Sequence, residues 1–243
     1  MTGVQTCALP IYSAFEIITD EGLNILIDPF ISNNPACQIP VEEFNPDIIL
    51  VTHGHSDHLG DAMELSNKNN VPVAAIHEIS LFLSKQGINN IGVNIGGSFI
   101  YRGVKFTMLD AKHSSVLDIV EEPLPAGDAA SFLITLEDGT KLFHAGDTGL
   151  FGDMKTIIGE IYKPDIALLP IGDKFTMGPF EAALATRWID SKVAIPMHYN
   201  TFPPIEQDPS IYANFVSQLN PNIDVVILNP GEYFEYNPEN YQD

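Results

Sequence analysis

Residues 53–58 carry the sequence HGHSDH, which places three histidines and one aspartate within six positions. Imidazole and carboxylate groups are the ligands that Zn²⁺, Fe²⁺ and Mn²⁺ take in proteins. In extended chain His53 and His55 point the same way, whereas the start of a helix would turn Asp57 and His58 elsewhere. The spacing therefore favours two neighbouring metal ions. A solvated polar loop is the alternative interpretation.

Three more candidate ligands each follow a predicted strand: His113, Asp147 and His198. Taken singly, a histidine in a loop is more often structural than a ligand. The carboxyl ends of successive strands converge at one edge of an α/β sheet, however, and this convergence favours a metal site. For His144, support of a ligand and simple packing are equally good interpretations, and His77 fits a surface or capping role.

Four further residues are candidates for substrate binding. Asp173, Lys174 and Thr176 lie in a glycine-containing loop after a predicted strand, where turn formation explains them nearly as well. Asn200 lies two residues after His198 and is a candidate for positioning a leaving group.

The elements that must position these residues alternate in type along the chain. Apolar runs and alternating patterns predict strands over residues 13–19, 23–28, 47–52, 71–75, 98–101, 104–109, 131–136, 141–144, 165–170, 193–197 and 225–229. Helical spacing predicts helices over residues 59–69, 78–86, 179–190 and 209–219. The charged segment 116–128 is predicted to be a long loop, either a lid or a solvated surface. The order predicts an α/β protein of two similar halves, an αββα sandwich of two mixed sheets flanked by helices.

Composition excludes several classes of function. The chain has 243 residues, with 32 acidic and 11 basic side chains and a formal net charge of −21. Such a surface disfavours nucleic acid, and no apolar run is long enough for a membrane span. Cys7 and Cys37 are too few for a disulfide framework, so a reducing cytoplasm is the expected location. A small molecule is therefore the expected partner.

Residues 1–11 are interpreted separately from the rest of the chain. The string VQTCALPI at residues 4–11 matches one reading frame of a common sequencing-library adapter, so we expect residues 1–11 to be an artefact. Residues 12–243 are then expected to form a single domain that has lost a native first strand. The alternative is a genuine, mildly apolar N-terminal segment.

Several motifs resemble those of the metallo-β-lactamase superfamily, over nearly the whole chain from Ser13 to Tyr236. These motifs are SAF at 13–15, DPF at 28–30, HGHSDH at 53–58, HAGDTGLF at 144–151, IGDKFTMGP at 171–179 and PMHYNTFPP at 196–204. They are similar, more narrowly, to metal-dependent hydrolases related to ascorbate-6-phosphate lactonase. That branch has Gly-His-Ser before the first Phe, and Tyr12 stands where its His would be.

The resemblance implies a ligand set for two divalent ions. One ion takes His53, His55 and His113, the second takes Asp57, His58 and His198, and Asp147 bridges the two. Asp57, Asp147 and His198 are the implied catalytic residues. Zinc is the expected metal, with manganese or iron as alternatives. The implied chemistry is hydrolysis by a hydroxide held between ions about 3.5–4 Å apart, on an ester, lactone or phosphodiester that can be anionic.

Other functions of the same fold are weighed against this one. Dedicated β-lactamases usually lack the bridging carboxylate that Asp147 supplies, and RNA processing conflicts with the net charge. Di-iron redox proteins resemble this chain but carry a carboxylate where His55 stands. A metal-binding protein without turnover remains an alternative. The oligomeric state stays open, with a homo-oligomer as one option.

Overall fold

The computed structural model describes residues 4–6 and 13–241, with side chains from residue 13 onward. Cys7, Tyr12 and most of the suspected adapter segment 1–11 lie outside the described residues. The strands are β1 (Val4–Thr6), β2 (Phe15–Ile18), β3 (Asn24–Ile27), β4 (Ile48–Leu50), β5 (Val73–Ile76), β6 (Asn90–Val93), β7 (Ser98–Tyr101), β8 (Val104–Asp110), β9 (Val116–Leu117), β10 (Leu124–Pro125), β11 (Ala130–Thr135), β12 (Lys141–His144), β13 (Ile166–Pro170), β14 (Val193–Met197), β15 (Asp224–Val225) and β16 (Phe234–Tyr236).

The helices lie mostly between parallel strands. They are α1 (Ser56–Leu59), α2 (Ala62–Asn69), α3 (His77–Lys85), a π-helix (Met154–Tyr162), α4 (Pro179–Ile189) and α5 (Pro209–Leu219). Short 3₁₀ turns cover Val41–Glu43, Pro203–Ile205 and Pro238–Tyr241. Among the described helices, none combines the length and apolarity needed to cross a membrane.

Fourteen of the described strands form two mixed sheets of seven. The first has the order β16-β1-β2-β3-β4-β5-β6 and is parallel from β3 to β6. The second has the order β15-β14-β13-β12-β11-β8-β7 and is parallel from β12 to β15. Helices α2 and α3 pack on the first sheet, and α4 packs on the second sheet. The π-helix and α5 pack against α4. The predicted αββα sandwich is confirmed.

The core is a cluster of buried apolar side chains contributed by both sheets, including Phe15, Ile49, Phe132 and Leu168. The central strands β4, β13 and β14 are buried along their whole length because helices or the other sheet cover both of their faces. The two sheets are also joined directly, since the Ala130 N–H donates to the Thr52 carbonyl at 3.0 Å. This bond fixes the end of β4 against the start of β11, beside the candidate ligands.

Two predicted elements differ from the structure at identifiable residues. The helix predicted over 59–69 is divided into α1 and α2 at Gly60, whose φ of +40° lets the chain turn against the Pro29 carbonyl. The strand predicted over 225–229 shrinks to β15. The Asp224 and Val226 N–H groups donate to the carbonyls of Lys192 and Ala194. The next residue of β14 that faces β15 is Pro196, which has no N–H to continue the ladder.

Other differences concern segments without a strong sequence pattern. The predicted loop 116–128 contains the β9–β10 ribbon, and its remainder is irregular. The π-helix, β6 and β16 were not predicted, because short half-exposed strands and π-type helices have no distinctive periodicity. The backbone of β1 pairs with β2 and β16, at the position where we expected a strand to be missing.

Candidate metal centre

The HGHSDH segment follows β4 and continues into α1, and it is held by the chain that follows His113. A Cβ on Gly54 would lie 2.6 Å from the Ala126 Cβ and 2.8 Å from the Val116 carbonyl oxygen, so only glycine allows this approach. The Gly54 N–H also donates to Ser115 Oγ at 3.2 Å. The first ligand segment and the segment after His113 are therefore packed together as one unit.

The candidate ligands gather in three overlapping groups, each with its ligand atoms within 4.8 Å of one another. The groups are His53, His55 and His113; His53, His58 and Asp147; and Asp57, His58 and His198. His53 Nε2 lies 2.9 Å from His55 Nδ1, and the His53 and His58 rings are 4.0 Å apart. All seven candidate ligands of the sequence are thus in one cluster.

Asp147 lies between the imidazoles of both sides of this cluster. Its carboxylate oxygens are 2.8 Å from His198 Nε2, 3.3 Å from His58 Nε2 and 3.6 Å from His113 Nε2. Gly146, at φ +60°, brings it there: a Cβ at this position would lie 2.8 Å from the Ala130 carbonyl oxygen. The buried carboxylate is therefore placed by the same strand junction that fixes Thr52.

Asp28 is a buried part of the site that our sequence reasoning did not assign. Its carboxylate accepts from the Thr52 N–H at 2.8 Å, from Thr52 Oγ1 at 2.7 Å and from His58 Nδ1 at 2.8 Å. Because the Thr52 hydroxyl donates to Asp28, its oxygen must accept from His53 Nδ1, which lies 3.0 Å away. Asp28 therefore holds His53 and His58 in the tautomer that leaves Nε2 available for a metal ion. The available signal was a carboxylate after an apolar strand, in the DPF motif.

His144 supports the Asp147 loop and is not a candidate ligand. Its Nδ1 accepts from the Gly146 N–H at 3.2 Å, so its Nε2 carries the proton and donates to the Ser13 carbonyl at 3.0 Å. The ring is fully buried with its edge against Phe15. His144 thereby ties the loop that carries Asp147 to the chain just before β2.

The backbone at His198 is strained and depends on a neighbouring glycine. His198 has a φ of +56°, in the left-handed region that histidine seldom occupies. A Cβ on Gly172 would lie 2.3 Å from the His198 carbonyl oxygen. The loop after β13 therefore leaves room for the ring of His198 to face Asp147.

The charges of the cluster depend on a positive charge next to Asp147. Burial by itself would raise the pKa of Asp147, but His198 and His58 hold it well below its usual range. Burial likewise opposes protonation of His58, yet Asp147 and Asp28 raise its pKa well above the ordinary value. Burial lowers the pKa of His53 and His113, which keeps these imidazoles neutral.

These features fit divalent cations. The His53 Nε2 and His55 Nδ1 atoms lie 2.9 Å apart in the same cluster as the buried Asp147 carboxylate, and a cation held there would supply the positive charge that a buried carboxylate needs. Nitrogen and carboxylate oxygen are donors typical of Zn²⁺ and of Fe²⁺ or Mn²⁺. Ligand atoms within 4.8 Å of one another can close around an ion with bonds of about 2.0–2.2 Å.

The substrate candidates have different surroundings. Asp173, Lys174 and Thr176 belong to a tight turn in which the Thr176 N–H donates to the Asp173 carbonyl at 2.6 Å. Lys174 lies over the Phe175 ring at 5.2 Å. Asn200, in contrast, lines a pocket of about 130 Å³ next to His198. Asn200 is therefore the substrate candidate that shares a pocket with a candidate ligand.

Known proteins match the chain over most of its length. The description of the matching family is "Beta-lactamase superfamily domain", and the match covers residues 23–199. A protein of Methanosphaera stadtmanae called a UPF0173 metal-dependent hydrolase is 56% identical over 222 residues, which are 91% of this chain and 95% of that protein. A protein of the same description from Methanopyrus kandleri is 48% identical and covers 92% of this chain and 96% of its own length.

One solved structure is similar in both sequence and fold. Igni18, described as a novel metallo hydrolase from the hyperthermophilic archaeon Ignicoccus hospitalis, superposes with a TM-score of 0.87 at 37% identity. The similarity covers 97% of this chain and 99% of Igni18.

Proposed function

Because this chain belongs to the UPF0173 metal-dependent hydrolase family of the beta-lactamase superfamily, we propose that it hydrolyses a small ester, lactone or phosphodiester with two metal ions. The observation that carries this proposal is the position of Asp147. Its carboxylate lies within 3.6 Å of His113 from one ligand group and within 3.3 Å of His58 and 2.8 Å of His198 from the other. If each ligand group held one ion, this carboxylate would be in reach of both.

We assign the ligands to two ions as the groups suggest. His53, His55 and His113 would hold one ion, and Asp57, His58 and His198 would hold the other. Zinc is our first choice of metal because all of the donors are imidazole or carboxylate, and manganese or iron is the alternative. When bound, such ions act as Lewis acids toward a carbonyl or phosphoryl oxygen and lower the pKa of water.

Residues around the candidate ligands orient their rings and leave one side of the cluster open to substrate. Asp28 and Thr52 orient the buried rings of His58 and His53, so these ligands require little rearrangement. His55, Asp57 and His113 are only partly buried, and we infer that substrate approaches from their side. Asp57 is the carboxylate on this open side, and we assign to it the acceptance of a proton from the attacking water.

The surroundings of the cluster suit a small substrate. The pocket of about 130 Å³ beside His198 is lined by Asn200, Thr201 and Asn229 among others, and has room for a group of only a few heavy atoms. Two divalent ions outweigh the charges of Asp57 and Asp147, so an anionic group is attracted locally. The net charge of −21 disfavours nucleic acid as a substrate.

The test is the metal content measured together with hydrolysis. We expect about two metal ions per chain by elemental analysis, and hydrolysis of at least one class in a panel of lactones, aryl esters and phosphodiesters. Asp147→Asn should lose at least one ion and most of the activity, because the buried carboxylate contacts both ligand groups. Asp153→Asn, an exposed aspartate before the π-helix, is the matched control.

Two results would contradict the proposal in different ways. One metal ion or none in the parent protein would refute the dinuclear centre. Two ions without turnover of any class in the panel would instead favour a metal-binding protein whose ions stabilise the fold by mass action.

A further inference from the structure

A second concave site lies between the π-helix and the last turn of α4. A groove of about 590 Å³ opens there, which is within the range of roughly 300–1,000 Å³ typical of small-molecule sites. Helix α4 begins after the carboxyl end of β13 and returns to the amino end of β14, so its last turn lies at the sheet edge opposite the metal cluster. The groove shares no lining residue with that cluster.

The groove concentrates positive charge in an acidic protein. Three of the eleven basic residues line it: Lys155, Lys163 and Arg187. None of the three pairs within 4 Å with a carboxylate among the described residues. Glu160 and Asp190 line it too, which leaves a net charge of about +1 where the whole chain carries −21. These cations are therefore available to an anionic ligand.

The wall of the groove is built by an unusual helix and by the single tryptophan of the chain. A Cβ on Gly159 would lie 2.2 Å from the Trp188 carbonyl oxygen, so only glycine allows the π-helix to pack so closely on α4. π-type helical turns are rare and are frequent at functional sites. Trp188 is half-buried and lines the groove beside the cations.

We propose that this groove binds a nucleoside phosphate. The three cations take the phosphate oxygens, since charge-assisted hydrogen bonds of this kind are among the strongest available. The base stacks on the Trp188 ring, and the carboxylates of Glu160 and Asp190 accept hydrogen bonds from the ribose hydroxyls. Inorganic phosphates share the anionic chemistry but have neither a base to stack on the indole nor a ribose to donate to the carboxylates. This site is independent of the proposed hydrolase function.

Binding in the groove can be followed by the fluorescence of Trp188, because it is the only tryptophan in the chain. The full-length, metal-loaded protein is titrated with ADP, pyrophosphate and adenosine while the tryptophan fluorescence is followed. We expect a saturable change with ADP, and affinities at least about tenfold weaker for pyrophosphate and for adenosine. Calorimetry on the same samples gives the affinity without relying on the fluorophore.

The matched variants remove one cation each. Arg187→Gln should weaken ADP binding about tenfold, whereas Lys105→Gln, an exposed cation on β8, should leave it unchanged. Both side chains are exposed, so neither variant should lose the fold or its metal ions. An affinity for pyrophosphate equal to that for ADP would overturn the proposal. ADP binding that leaves Trp188 fluorescence unchanged, or that is insensitive to Arg187→Gln, would also overturn it.

Discussion

The substitution Asp28→Asn tests how the metal cluster is organised, because it keeps the shape of a buried side chain and removes its charge. Asp28 accepts three hydrogen bonds, of 2.7–2.8 Å, and two of them lead to His58 and through Thr52 to His53. An asparagine can still accept from the Thr52 N–H with its oxygen. Its NH₂ group then faces Thr52 Oγ1 and His58 Nδ1, where the parent protein has an acceptor.

Both histidines should then change tautomer. The NH₂ group donates to His58 Nδ1, which moves the ring proton to Nε2, and Thr52 turns its hydroxyl proton toward His53 Nδ1. A protonated Nε2 cannot bind a metal ion. Removing such a supporting group typically weakens metal binding 10–100-fold, which is about 1.4–2.8 kcal/mol for each ion. The loss of a charge-assisted hydrogen bond should also destabilise the metal-free protein by about 1.5–3 kcal/mol.

The assay is competition with a chelating dye at constant pH, combined with nitrogen NMR of the histidine rings in the metal-free protein. Asp28→Asn should show weaker binding of both ions and an Nε2–H signal for His53, which has only Nδ1–H in the parent. The raised pKa of His58 puts a proton on both of its ring nitrogens in the metal-free parent, so the signal of that ring is not used. Asp20→Asn, on the exposed turn between β2 and β3, is the control. Unchanged affinity for both ions in Asp28→Asn would refute the tautomer argument. A melting curve of the variant followed by circular dichroism distinguishes weaker metal binding by a folded protein from loss of the fold.

Three further predictions follow from the same network and from the charge. Gly172→Ala should displace the His198 carbonyl, destabilise the protein by about 1–3 kcal/mol and lower its metal content. The control Gly149→Ala, whose Cβ would meet no atom closer than 3.8 Å, should change neither stability nor metal content. Equal melting temperatures and metal contents in the two variants would contradict this prediction. Burial lowers the pKa of His144 from its ordinary value of 6.5, so the unfolded chain takes up the proton first and stability should fall as the pH decreases below about 6.5. Denaturant unfolding of the metal-free protein at several pH values should show a shallower decline in the free energy of unfolding for His144→Gln than for the parent. The same pH dependence in the two proteins would mean that His144 is not the origin of the decline. With a net charge of −21, the free energy of unfolding should rise modestly with ionic strength, and a flat response would mean that self-repulsion is negligible.

The sequence alone was sufficient for the fold class, and it named the seven residues that the structure brings together in the candidate metal centre. Strands β4, β13 and β14 are short, continuously apolar runs, and helices α4 and α5 begin at Pro179 and Pro209, so local pattern predicted them. His113, Asp147 and His198 were predicted as partners of HGHSDH because each follows a strand, and strand ends meet at one edge. Such patterns are local in sequence and need no knowledge of distant contacts.

The tertiary structure decided what surrounds these residues. The bond from Asp28 to His58 joins residues 30 positions apart, and the bond from His144 to the Ser13 carbonyl joins residues 131 positions apart. The early end of β15 depends on Pro196 in a neighbouring strand, and the groove beside Trp188 depends on a close contact with Gly159. Such contacts arise only when separate elements pack. The periodicity of one segment reports which of its faces is buried, and the partner of a buried polar group is set by the packing of the whole chain.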